Sequence, residues 1–313
     1  MRAVQAACTA TSSPRNGWRR HRHDDRRALN PGAEAPRSNV QQLLENPAVQ
    51  SAALPAFVAA IAWGLVGRTR ALAAVPLAGW ATVVALAVGF GFEPLSARNK
   101  LVIALAASAL IALALELLRV QARARVVAAL AALAAAASVW IALRVLEQRA
   151  GAAAWSLGLG VGAWAAVMVA AVAWVRLPTA RALVVAAALG FTTAALGLLG
   201  ASASIAMMGI ALGASCGVAL VAGLGSGRLP EGLRFVGLQM AVFAALGGEV
   251  ASLTGQLPWT ALLPLPLIPL AARLAPRRGA GSATDAALTA AACAVPALVA
   301  AALAWRAIGV ATN

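Results

Sequence analysis

Tyrosine is absent from the 313 residues, lysine occurs once, at Lys100, and both histidines fall before residue 24. From residue 24 onward there is thus no imidazole to act as a general base or metal ligand, the two roles for which histidine is most often used. Cysteine is scarce as well. Cys8, Cys216 and Cys293 are too widely spaced for a metal-binding pattern, and two of them lie in apolar stretches, where a free thiol behaves as a small hydrophobe. No HExxH and no paired-acid motif occurs, so the chain is not read as an enzyme, and no cofactor or metal is expected. Charge is the largest deficit. Charged residues make up 11% of the chain, where a soluble domain carries about a quarter. Alternating ten-residue segments are missing too, which argues against an outer-membrane barrel.

Apolar residues fill the space these absences leave. They make up 62% of the chain, and mean hydropathy is +0.83. They fall in blocks of about 20, the length that crosses a ~30 Å hydrocarbon core as a helix. In lipid, only helices and closed barrels satisfy their own backbone groups. The expected fold is therefore all-α, a polytopic transmembrane bundle of about ten membrane-spanning helices, with the lipid bilayer as its first partner. The segments run over 50–67, 71–92, 101–118, 126–143, 152–175, 182–200, 203–225, 234–256, 258–274 and 286–305. The sixth and seventh are divided only by Gly200-Ala201-Ser202-Ala203-Ser204, which reads as a tight hairpin or as a break in one irregular element. The ninth holds Pro258, Pro264, Pro266 and Pro269, and interior prolines kink a helix.

Residues 1–40 differ from the rest. They carry eight arginines, three acids and no apolar run, a composition that cannot bury enough surface to fold. The expectation is a disordered basic segment ahead of an integral membrane domain over 41–313. Val40, read as an alternative start, predicts a protein that begins VQQLLENPAVQ. Nucleic-acid binding would rest on this segment alone and is not expected.

The net charge of +15 comes almost wholly from arginine. In a membrane protein, loop arginines are topology signals. The odd-numbered connections between segments carry twelve of them: Arg68, Arg70, Arg119, Arg123, Arg125, Arg176, Arg181, Arg228, Arg234, Arg273, Arg277 and Arg278. The even-numbered ones carry Arg98, Lys100, Arg144 and Arg149. The positive-inside rule places the odd connections in the cytoplasm and both termini outside, in a bacterial inner membrane; the basic stretch over 1–40 argues for a cytoplasmic N-terminus, and the loops are preferred because their bias runs the length of the chain. Trp140, Trp155, Trp174, Trp259 and Trp305 fall near segment ends, as an interfacial belt would have them.

Small residues mark expected helix-packing faces: Gly158, Gly160 and Gly162 in the fifth segment, Gly213 and Gly217 in the seventh, and Gly247 with Gly248 in the eighth. The eighth also carries Glu249, the one acid expected well inside the hydrocarbon. It lies fifteen residues past Arg234, about 22 Å along a helix, and no basic residue lies deep in any segment to pair with it. Such a carboxyl is protonated, hydrated or holding a cation, and proton carriage and cation binding are both transport chemistry. Gln239, Ser252 and Gln256 share parts of its face and are coupling candidates with it. Thr192, Thr193, Ser202, Ser204 and Ser215 are its candidate neighbours. A structural reading stands beside this one, in which Glu249 reaches the outer headgroups from the end of its helix. Two functions follow: a secondary transporter or permease for a small-molecule cargo, and a membrane-embedded subunit of a larger assembly. The sequence does not specify an oligomeric state.

The stretches ENPAVQSAALPAFVAA at 45–60, GFGFEPLSARNKL at 89–101 and LTGQLPWTALLPLPLIPLAA at 253–272 are similar to a set of bacterial polytopic inner-membrane proteins. The resemblance extends over most of the chain after residue 40. It implies a membrane bundle and brings with it no activity, cofactor or site.

Overall fold

Long runs of Ala, Leu and Val have no side-chain groups to compete for the backbone, so helix is the structure that pairs every N–H and C=O internally. The protein is described by a computed structural model covering residues 46–66, 74–89, 95–121, 123–227, 234–254, 257–277 and 282–311. Among these residues the regular structure is helical throughout, with no strand. The basic stretch over 1–40, Gln256 and the loop residues Arg68, Arg70, Arg228 and Arg278 lie outside them.

The helices in chain order are α1 (Val49–Val66, opening with a wide turn over Val49–Ala53), α2 (Ala74–Val88), α3 (Ala97–Leu117), α4 (Ala124–Ala150) and α5 (Ala154–Val175). They continue with α6 (Thr179–Leu199), α7 (Ala203–Gly225), α8 (Arg234–Thr254), α9 (Leu267–Leu274) and α10 (Ala283–Ala311). A single 3-10 turn, Trp259–Leu262, precedes α9.

Among the described residues, seven helical stretches are long and apolar enough to cross a membrane, against the expectation of about ten. The difference has two sources. One of the seven, Ala124–Val175, covers two expected segments in succession, α4 and α5. The chain turns there at Gly151, whose φ of +51° suits a residue without a Cβ. The other source is length: α2 and the stretch Trp259–Leu274 are shorter apolar elements. In the latter, Pro258, Pro264, Pro266 and Pro269 limit regular helix to the 3-10 turn and the eight residues of α9. At the sixth and seventh segments the hairpin reading is the observed one. Gly200 N–H donates to Leu196 O, Ser202 N–H donates to Gly197 O, and Ala201 takes a φ of +57° between them.

The bundle is arranged around α8. Every residue from Phe235 to Ala251 is buried. α3, α4, α5, α6 and α7 all pack on this helix, and the 3-10 turn lies against it as well. α1 and α2 pack on α7, and α10 packs on α6 and α9. The outer helices carry the apolar surface expected of a lipid-facing wall. Leu65, Leu110, Leu159, Val221 and Leu298 are all exposed. Trp140, Trp155, Trp174, Trp259 and Trp305 are exposed too, whereas Trp80, from the middle of its segment, is buried.

The tightest crossing joins α6 to α7. A Cβ added to Gly190 would lie 2.8 Å from Gly213 N, and one on Gly209 would lie 2.7 Å from Gly190 O. Only glycine permits that approach. The seventh segment does carry a GxxxG face, but it is Gly209–Gly213, one turn before the expected Gly213–Gly217. Gly217 meets nothing within 4 Å. In the fifth segment, Gly158 and Gly162 close the α4–α5 hairpin, facing Val139, with Ala135 O 3.2 Å from a Cβ on Gly162. Gly160, between them, points to open space, as a helix period of 3.6 requires for a residue two positions on.

Candidate functional site

Glu249 sits on the last third of α8 and is fully buried. The structural alternative, a helix-end residue reaching headgroups, does not describe it, since neighbouring helices enclose it. Ser138 on α4, also fully buried, donates its hydroxyl to Glu249 Oε2 at 2.6 Å. Glu249 Oε1 is buried and has no hydrogen-bond partner among the described residues. No basic side chain pairs with the carboxyl there either.

Local sequence explains how the pair is assembled. On α4 the buried positions include Ala134, Ser138, Ile141, Ala142 and Leu146, an i, i+4, i+7, i+8 stripe that turns one face inward. Ser138 is the polar member of that stripe. On α8, Gly247 and Gly248 precede the acid and let neighbours close in. A Cβ on Gly247 would lie 3.2 Å from Thr193 Cγ2, and one on Gly248 would lie 2.7 Å from Leu262 Cδ2. The 3-10 turn is thereby seated against the helix one residue from Glu249.

The other expected members disperse. Ser252, one turn past Glu249, has a buried hydroxyl without a partner among the described residues. Gln239 lies ten residues before Glu249, about 15 Å along the helix, and so occupies another level of the bundle. It borders a mostly apolar cavity of about 200 Å³ between α3, α4, α5 and α8, together with Ser108 and Val242. Gln256 lies outside the described residues. Of the candidate neighbours, Thr193 adjoins Gly247, while Thr192 and Ser215 return their hydroxyls to Ala188 O and Ala211 O in their own helices, both at 2.7 Å. Ser202 sits at the N-cap of α7 and Ser204 in its first turn. The residue that does meet the acid, Ser138, comes from the fourth segment, from which no neighbour was expected. The sequence marks it only as the one hydroxyl on the inward stripe of α4, which does not say what that stripe faces.

Gly213-Ala214-Ser215-Cys216-Gly217 also spells the G-x-S-x-G string of serine hydrolases. That motif works on a strained strand-to-helix turn. Here the whole string lies inside α7, and Ser215 is spent on Ala211 O.

A second buried polar cluster went unforeseen. Arg181, in the first turn of α6, is 1% exposed. The loop-charge count includes it, and the structure corrects this by placing it inside the protein. Its Nε donates to Asp285 Oδ2 at 3.0 Å and its Nη2 to Asp285 Oδ1 at 2.6 Å. Nη1 donates to Ala272 O and Ala275 O, and Nη2 also to Pro276 O. All five guanidinium N–H groups have acceptors, in the bidentate geometry that arginine alone provides. The cluster ties the start of α6 to the end of α9 and the start of α10. Among the described residues no group of three or more His, Cys, Asp or Glu side chains could hold a metal.

Compared with known protein families, with characterised proteins and with solved structures, the chain matches none.

Proposed function

We propose that this chain is a bacterial inner-membrane protein crossing the bilayer about ten times, and that it works as a secondary transporter or permease for a small molecule. In this reading Glu249 carries a proton or a cation, and Ser138 orients it. One observation carries the proposal: a fully buried carboxyl in the innermost helix has a hydroxyl on one oxygen and no partner on the other among the described residues. A charge held that way is costly unless a proton or a cation neutralises it, and ionisable groups kept inside bundles mark ion pathways. The candidates Gln239 and Ser252 would mark other levels of the same path along α8.

The loop charges support the orientation. Withdrawing Arg181 leaves eleven basic residues on the odd connections against four on the even ones, so the odd connections remain cytoplasmic and the termini periplasmic. The seven long spans, the α4–α5 turn and the two shorter apolar elements support a count near ten.

The test uses purified protein in proteoliposomes with an entrapped pH dye and, separately, an entrapped sodium dye. Imposed gradients should drive a flux of one ion through wild-type protein. The flux should fall at least tenfold in Glu249→Gln and partly in Ser138→Ala. Equal fluxes in wild type and Glu249→Gln, with the same pH dependence, would remove Glu249 from the mechanism.

A further inference from the structure

The arginines at the loop face of α4–α6 have different occupations. Arg181 is consumed by Asp285 and three carbonyls. Arg273 stacks on the Trp174 ring, 5.9 Å from its centroid. Arg123 and Arg176 do neither. Both border a cavity of about 360 Å³ between the α3–α4 connection, the end of α5, the start of α6 and the start of α8. Among the described residues no carboxylate pairs with either of them.

The lining of the cavity is of two kinds. Gln121 accepts a hydrogen bond from Arg123 Nε at 3.2 Å, which orients that guanidinium and leaves its two outer nitrogens for another acceptor. Arg176 ends α5 with a φ of +45°, a conformation uncommon outside glycine and asparagine. The rest of the lining is apolar and includes Val172, Leu177 and Leu238. Leu238 is also a wall of the apolar cavity beside Gln239. Two cations and an apolar lining in one cavity match one ligand chemistry. Arginine forks take phosphate oxygens bidentately, and the apolar lining removes an apolar chain from water.

We infer that this cavity is a binding site for an amphiphile whose phosphate head bears net negative charge, with the phosphate on Arg123 and Arg176 and the apolar portion against Val172, Leu177 and Leu238. The inference does not rest on Glu249. Leu238 lies eleven residues before it, about 16 Å along α8, so the site can bind whether or not the acid carries an ion. The phosphate belongs either to a membrane lipid or to a water-soluble amphiphile, and the two sources separate by experiment.

The test is native mass spectrometry of the full chain released from detergent. The chain is offered phosphatidic acid, phosphatidylcholine, short-chain dihexanoyl phosphatidic acid or inorganic phosphate. Wild type should retain one phosphatidic acid in preference to phosphatidylcholine. Arg123→Gln/Arg176→Gln should weaken retention by about tenfold or more, the loss of a charge-assisted hydrogen bond at each site. Arg123→Lys/Arg176→Lys, which keeps the charge and loses the fork, should fall between the two. Arg273→Gln should retain lipid as wild type does. Displacement of the long-chain lipid by dihexanoyl phosphatidic acid supports the site and assigns it to a soluble amphiphile. Retention against that competitor supports it and assigns a membrane lipid. Equal retention of phosphatidylcholine overturns the inference. So do unchanged retention in the double Gln variant and an equal loss in Arg273→Gln.

Discussion

Replacing Arg181 with Met removes five N–H donors in one step and leaves Asp285 buried without its counter-charge. The side chains of the pair are 2% and 4% exposed, so water cannot take over from the lost partner. Breaking a buried ion pair from one side costs about 3–5 kcal/mol, most of it the penalty on the charge that stays behind. Asp285→Leu should cost about 3 kcal/mol, the lower end of that range. The carbonyls of Ala272, Ala275 and Pro276 still accept from the guanidinium in that variant. Arg181→Met/Asp285→Leu removes both charges and should recover to within about 1–2 kcal/mol of wild type, because an apolar pair of similar volume often replaces a buried ion pair at little cost. The cycle should then return a coupling of about 3 kcal/mol or more, at the top of the range for residues in contact. The nine tryptophans provide the signal, and unfolding in detergent micelles by heat or by titrated SDS provides the assay. The single variants should lose on the order of 10 °C in Tm. An ordinary loop arginine changes stability by no more than about 0.5 kcal/mol. A loss that small in Arg181→Met, or strict additivity in the cycle, would refute the clamp.

Four further outcomes are expected. Gly209→Ala should destabilise by about 1–3 kcal/mol through overpacking, since its Cβ would lie 2.7 Å from Gly190 O, while Gly217→Ala, which meets nothing within 4 Å, should be neutral or better in the same unfolding assay. Ser138→Ala should cost about 1–3 kcal/mol, because the buried Glu249 loses its partner, and equal stability of variant and wild type would show that the 2.6 Å contact contributes nothing. For the predicted orientation, Ala152→Cys should react with an impermeant maleimide on intact cells and Ser226→Cys only after permeabilisation, both positions being exposed. The reverse pattern would invert the bundle. Trp140→Leu should cost no more than about 1 kcal/mol, the worth of an exposed cation–π contact with Lys100 at 5.1 Å from the ring centroid.

Helices were legible because hydropathy and length are properties of single segments. α3, α5, α6, α7 and α8 lie within a few residues of their expected bounds. α4 extends well past its expected end at 143, to Ala150, because Arg144, Glu147 and Arg149 end an apolar run without ending a helix. Pairing between segments was the hidden part. Glu249 declared itself by being an acid in an apolar helix, but Ser138 lies 111 positions away, and nothing local distinguishes a serine facing that acid from one facing its own helix backbone, as Ser215 does. Arg181 was misread for the same reason. Counted along the chain it is one more arginine after a proline, and only the return of α9 and α10 to its side makes it a buried clamp. The glycine register shows the limit most plainly. Gly213 and Gly217 form as good a motif as Gly209 and Gly213, and the choice between them is made by where Gly190 of α6 arrives.

The enclosure of α8 also has a consequence for how the protein is made. Its hydropathy is the lowest of the seven long spans, as suits a helix that meets side chains instead of lipid. A span of that kind gains little by entering the bilayer alone. α3 to α7, which wrap it, all precede it in the chain and leave the ribosome first. α3, the α4–α5 hairpin and the α6–α7 hairpin pack mainly on α8 and little on one another, so α8 is the element that joins them. The Trp259–Leu262 turn emerges next and closes over Gly248. A chain halted after α7 would lack the helix that joins these pieces, and its two hairpins and α3 would stay unpacked against one another.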